Sequence, residues 1–240
     1  MSEAELREIE LLGETIDYDI QRSTEASEPR IDVDIHGVTV VIPNSADENP
    51  TELLKENAPW VIESYQTYQE YRDQAPERTF ETGETFPFLG EPHKLVVEPR
   101  QSHAVSDQTI RLRESTVEQS SIKQVLRNFY RSQARKHFAD RAGNFASQMG
   151  VEYEQIEIRN QRTKWGSCSS SGTLGLNWRL MMALPEVIDY IIVHELAHLR
   201  ESNHTQAFWN LVAEYDPDYT EHAKWLEENS TQLIFSEADL

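Results

Sequence analysis

Apolar positions in the first half of the chain recur mostly at every second residue. TIDYDI (15–20) alternates weakly. In RIDVDIHGVTVVIP (30–43), Ile31, Val33 and Ile35 fall at period two ahead of Gly37, and a second apolar run from Val38 to Ile42 is closed by Pro43. That pattern predicts a hairpin ended by a residue that cannot donate to a strand ladder. One or two helices are expected between residues 46 and 76, where Leu53, Leu54, Trp60, Val61, Tyr65 and Tyr68 make an intermittent apolar face and Pro59 starts a new helical run. TFETGETFPFLGEPHKLVVEPR (79–100) returns to hairpin grammar, with Gly83 and Gly90 as turn candidates, KLVVE as a strand and TIRLR as a further short one.

The periodicity changes from Val117 onward. Ile122, Val125, Leu126, Phe129, Ala134, Phe138, Ala142 and Phe145 are spaced for one long amphipathic helix that Gly150 helps to end. VEYEQIEIRN reads as a strand, and RTKWGSCSSSGTLGLNWRLMM as a strand pair around the polar turn at Ser169, Ser170, Ser171 and Gly172. In PEVIDYIIVHELAHL, Pro185 and Glu186 suit a first helical turn, and Val187, Ile188, Ile191, Ile192, Leu196 and Leu199 provide a wide buried face. The expected fold is α+β, with a strand-rich region over 1–115 that carries one helical segment and a second domain over 116–240.

Composition narrows the setting. A single cysteine, Cys168, excludes a disulfide framework and fits a reducing cytoplasm. The N-terminus is acidic where a signal peptide is basic, and no stretch approaches 18 uncharged apolar residues, so no membrane association is expected. With 42 Asp and Glu against 22 Lys and Arg, of which only six are Lys, the net charge is −20. Such a chain repels nucleic acid and anionic lipid, and its lysine-poor acidity is the composition expected of a halophilic protein in a salt-rich cytosol. Residues 111–150 run against this trend, with eight basic and three acidic side chains, and Lys123, Arg127, Arg131 and Arg135 are spaced four apart. That stripe reads either as an anion-attracting patch or as a helix face paired with the acidic remainder.

The chemistry concentrates in HELAHLRESNH (194–204). His194 and His198 lie one helical turn apart on one face, so each can offer an imidazole nitrogen to one ion. Glu195 sits beside the first of them, where it can reach a water without being a ligand. The polar run RESN argues against continuation of a buried helix. His204, ten residues after His194, is then far enough along for the chain to turn and return a third imidazole, with Thr205 as a cap for the next helix. Glu214, Asp216 and Asp218 are the alternative third ligands. Three nitrogens and an open position make a catalytic zinc (Zn2+) site, and peptide hydrolysis is its natural chemistry. His36, His93, His103, His137 and His222 share no ligand spacing with this group.

WGSC (165–168), NWRL (177–180), HELAHL (194–199) and NHTQAFW (203–209), joined in one stretch and preceded by FETGETFPFLG, resemble the YgjP-like metal-dependent hydrolases, a family related to the SprT-like and WLM zinc metallopeptidases. The resemblance implies a zincin-like portion within 116–240, with His194, His198 and His204 as zinc ligands and Glu195 as general base. Metzincins share the ligand intervals but carry Gly where this chain has Glu201, so the turn toward His204 must be made differently, for instance through an unusual backbone conformation at Asn203. The segments before the metal helix are expected to be strands beside the cleft that could align an extended peptide, with Arg162 and Arg179 as candidates for meeting a carboxylate or phosphate. Cys168 is expected to pack or to serve in a turn.

The leading expectation is a cytoplasmic zinc-dependent metallopeptidase acting on a peptide or protein substrate. Two alternatives stand beside it. One is a metal-dependent nucleoside triphosphate pyrophosphohydrolase, in which the basic helix would hold a nucleotide substrate. The other is a DNA-associated or adaptor protein with a structural metal.

Overall fold

The computed structural model describes residues 7–24, 26, 28–34, 37–73, 76–161 and 164–236. The chain divides at residue 76 into two compact units, each with its own apolar core. The division expected near residue 115 instead falls inside the second unit. The change of periodicity there marks a change from strand to helix, while Ile110 and Leu112 on one side share a core with Val125 and Leu126 on the other.

In the first unit, β1 (Arg7–Leu11), β2 (Glu14–Ser23), β3 (Arg30–Asp34) and β4 (Gly37–Pro43) form a sheet of order β1-β2-β4-β3. The hairpin expected at 30–43 is β3 antiparallel to β4, although Ile35 and His36 at its tip lie outside the described residues. β1 falls outside the predicted strands, because its two inward residues, Ile9 and Leu11, are too few to stand out among acidic neighbours. β2 runs parallel to β4, an arrangement that alternation alone does not specify. α1 (Pro50–Glu56) is capped by Asn49, whose side chain accepts from the Thr51 amide, and α2 (Ala58–Asp73) follows with Pro59 in its first turn. Leu54, Val61 and Ile62 from these helices close the core over Ile16, Val38, Val40 and Ile42.

The second unit opens on a sheet with the same plan. β5 (Thr85–Phe88), β6 (Glu91–Glu98), β7 (Ala104–Ser106) and β8 (Thr109–Arg113) take the order β5-β6-β8-β7, with β6 parallel to β8 and both outer pairs antiparallel. The leading hairpins of both sheets turn on Leu-Gly: Leu12 and Gly13 have φ of 53° and 88°, and Leu89 and Gly90 have φ of 51° and 78°. Two central residues with positive φ match the right-handed twist of the flanking strands, which is why two-residue hairpins favour this geometry.

After α3 (Glu114–Glu118), the long helix α4 (Ile122–Met149) is capped by Ser121 and terminated by left-handed Gly150. It buries Phe129, Tyr130, Phe138 and Ala142. Several of its basic side chains are engaged within the unit. Lys123 lies over the Phe80 ring, Arg127 over Phe235, Arg131 donates to the Ile158 carbonyl, and Arg141 makes a two-pronged pair with Asp189. Of these four side chains only Arg141 pairs with an acidic residue among the described residues, and Arg135, the fourth member of the stripe, is exposed.

A three-stranded sheet follows, in the order β10-β11-β9: β9 (Gln155–Arg159), β10 (Gly166–Cys168) and β11 (Thr173–Asn177). β11 is parallel to β9 and antiparallel to β10, which is an edge strand among the described residues. A 3-10 turn at Trp178–Met182 leads into α5 (Pro185–Ala197), and α6 (Gln206–Tyr215) and α7 (Tyr219–Asn229) complete the unit. The architecture is therefore α+β, strand-rich from β1 to β8 and largely helical beyond. No helix among the described residues is long and apolar enough to cross a membrane.

Candidate metal centre

Val187, Ile188, Ile192, Val193 and Leu196 are all buried and seat α5 in the core, so the register of its first polar pair is fixed by packing. His194 lies in its last turn and His198 caps it while still right-handed. The chain then leaves through a tight turn in which the amides of Leu199, Arg200 and Glu201 bond back to the carbonyls of Leu196 and Ala197. It returns with the Thr205 amide donating to the Asn203 carbonyl at 2.7 Å. No residue of this return has positive φ, Asn203 included, so the turn that metzincins make with glycine is made here without a left-handed residue. Thr205 stands at the cap position of α6 but makes no side-chain capping bond.

This route brings the three predicted histidines together. One side-chain nitrogen from each of His194, His198 and His204 lies within 4.8 Å of the other two. His194 Nε2 and His204 Nε2 are 3.0 Å apart. The His198 Nδ1–H donates to the Glu201 carbonyl at 3.3 Å, which leaves Nε2 as a free lone pair. Burial lowers the pKa of all three imidazoles, that of His194 to about 3, with the neighbouring rings adding to the shift in His194 and His198. Neutral imidazoles whose lone pairs face one another are a donor set that could hold a metal ion, and the close nitrogen pair is favourable only with a shared cation or proton between them. Of the alternative third ligands, Asp216 instead pairs with His222 at 3.0 Å, and neither Glu214 nor Asp218 joins the cluster.

Glu195 is 6% exposed and lies against β10. Burial pushes its carboxyl up to about 8, opposed by a weaker pull from Lys164. Cys168 is partly buried in the same region. Its thiol is raised to about 11 by desolvation and by the Glu195 charge, and Sγ reaches only the Ser169 carbonyl. It closes β10 and packs against the core.

Two aromatic residues hold the imidazoles in place. The fully buried Phe208 ring lies 4.9, 4.6 and 4.7 Å from the rings of His194, His198 and His204. Trp209 stacks on His204 at 5.6 Å, and Tyr219 stacks on Trp209 at 5.3 Å. The sequence pattern alone marks Phe208 as an inward apolar position of the helix after Thr205. The signal for more was its spacing, four positions after His204, which on a helix start brings it beneath the third ring.

The NWRL segment also has a specific task. Asn177 Nδ2 donates to the carbonyls of Gln161 and Lys164, its amide donates to Trp165, Trp178 Nε1 donates to Asn160, and Arg179 donates to Gln161 at 2.7 Å. Arg179 is 2% exposed with its guanidinium over Trp165, so it fastens the loop leading into β10 and is not free for a substrate carboxylate. Arg162 lies outside the described residues. The remaining histidines are engaged locally or aside from the centre: His93 Nδ1 with the Glu91 carbonyl, His103 accepting from the Arg113 amide, and His137 edge-on to Phe138.

The YgjP-like, metallopeptidase domain family matches residues 27–229 of this sequence. The chain belongs to the YgjP-like metallopeptidase family. Two crystal structures of metallopeptidase zymogens are also similar. Jannalysin of Methanocaldococcus jannaschii has 27% identity and a TM-score of 0.35, covering 40% of this chain and 97% of its own. Abylysin of Pyrococcus abyssi has 26% identity and a TM-score of 0.35, covering 41% and 96%. No curated protein matches the chain. Family membership and the histidine cluster together make this YgjP-like protein a metallopeptidase-like, metal-dependent hydrolase.

Proposed function

We propose that this protein is a zinc-dependent peptidase in which His194, His198 and His204 hold the metal and Glu195 is the general base for peptide-bond hydrolysis. The observation that carries the reading is the convergence of three imidazole nitrogens, one of them from His194, which directly precedes the buried Glu195 in α5. Bound zinc supplies a Lewis acid that acidifies water and polarises a carbonyl. Glu195 takes the proton of the attacking water and delivers it to the leaving nitrogen. A carboxyl whose proton affinity is raised by burial is suited to holding that proton between the two transfers. The Glu201 carbonyl and the Phe208 ring keep the imidazoles oriented without contributing a donor of their own. The edge of β10 that no strand among the described residues pairs with offers backbone groups to an extended peptide beside Glu195. A phosphate-binding reading loses support at Arg127, Arg131 and Arg141, which are engaged inside the unit, while Arg135 and Lys136 are exposed.

Metal analysis of the purified protein and hydrolysis of unfolded proteins and short peptides at high salt test the proposal. One zinc per chain is expected, and Glu195→Gln should retain it while losing hydrolysis. Full activity in that variant removes Glu195 from the role of base.

A further inference from the structure

We propose that Gly166 is a positioning residue for Glu195: the side chain missing at 166 is the socket in which the Glu195 carboxylate rests. The inference rests on the reading of Glu195 as the base. A Cβ at position 166 would collide with Glu195 Oε1 and lie 2.7 Å from Cγ and 2.8 Å from Cδ, all closer than such atoms approach.

Glycine is not required at 166 by the backbone. The residue is absent from the positive-φ glycines and sits in regular antiparallel register opposite Leu176. Glycine in a strand interior weakens the strand and marks places where another group comes close. Here the group that comes close is the side chain of Glu195. The alternation of β10 agrees: Ser167 projects to the other face, where its Oγ lies 2.5 Å from the Cβ position of Gly175. Cys168 returns to the side of Gly166. Among the described residues no hydrogen bond holds the Glu195 carboxylate, so packing against this strand sets where it points. The loop clamp made by Asn177, Trp178 and Arg179 thereby acquires a purpose, since it fixes the entry to β10 and hence the floor beneath Glu195.

A methyl group at 166 is accommodated most cheaply by the flexible end of Glu195, so Ala should displace the carboxylate while leaving the histidines alone. A misplacement of about 1 Å costs on the order of 10²-fold in rate. In the full-length, zinc-loaded protein, Gly166→Ala should lower kcat by about that factor, with KM and zinc affinity by chelator competition unchanged. The second measurement does not depend on activity. Any loss in thermal midpoint caused by Gly166→Ala should disappear in a Glu195→Ala background, where Oε1, Cγ and Cδ are gone. An undiminished kcat, a rise in KM with kcat preserved, or an equal midpoint loss in both backgrounds overturns the socket. Activity retained by Glu195→Gln would instead remove the base reading, and the midpoint cycle would still report on the socket.

Discussion

The two four-stranded sheets share strand order, pairing sense and a Leu-Gly hairpin turn, and within the second unit that turn meets the helix leading to the histidine cluster. In the first unit the Leu12 tip is 71% exposed, and a Cβ on Gly13 would meet nothing within 4 Å. In the second, Leu89 packs against the core, its amide donates to the Met181 carbonyl at 2.8 Å, and a Cβ on Gly90 would lie 2.5 Å from Leu184 Cδ2. Leu184 is the cap residue of α5, so this hairpin braces the start of the helix that carries His194 and Glu195. One backbone plan is thus a free-standing turn in one place and a buttress in the other. The difference lies in what the tip touches and not in how it is made.

The comparison breaks most completely at the cluster itself. Glu195→Gln should reduce hydrolysis by about 10²–10⁴-fold, the span of general-base contributions, and leave the unfolding of both units in place. Steady-state kinetics with parallel calorimetry measure both. Chelation should then separate the units. A ligand bound to the folded state at a thousand times its Kd stabilises it by about 4 kcal/mol, so metal removal should lower the transition of the second unit and spare the first.

Substitutions at the paired turns sharpen the contrast further. Both Gly13→Ala and Gly90→Ala place a side chain at positive φ, costing roughly 1–2 kcal/mol. Only Gly90→Ala adds overpacking against Leu184, worth about 1–3 kcal/mol more, so its denaturant midpoint should fall well below that of its counterpart. The smallest effect carries opposite signs. Asn tolerates left-handed backbone better than Leu, so Leu12→Asn should stabilise by roughly 0.5 kcal/mol, whereas Leu89→Asn should destabilise by losing apolar contact. Equal shifts at the two sites would mean that the turns are equivalent after all.

Much of this was legible along the chain because it is local. Period-two alternation gave the β3–β4 hairpin, and the helical spacing of apolar residues gave α4 and α5. The interval between His194 and His198 follows from helix geometry, which requires no knowledge of the rest of the fold. His204 was reachable for a related reason, since a polar run after a buried helix forces a turn. The division between units was not legible, because a change of secondary structure at 115 leaves the same signal as a change of core. β1 was hidden by its brevity, and the task of the basic stripe on α4 depended on which rings and carbonyls lay opposite.

By itself, the sequence determined that His194 and His198 would share one helix face with Glu195 beside the first of them, since residue type and helical spacing decide such placements within a few turns. Tertiary structure alone decided that β10 would run beside α5, that a position without a side chain would face Glu195, and that Phe208 would underlie three imidazoles. The physical reason is range. Periodicity encodes the direction of a side chain relative to its own element, whereas the distance between Gly166 and Glu195 depends on how two elements far apart along the chain pack, and no local pattern records it.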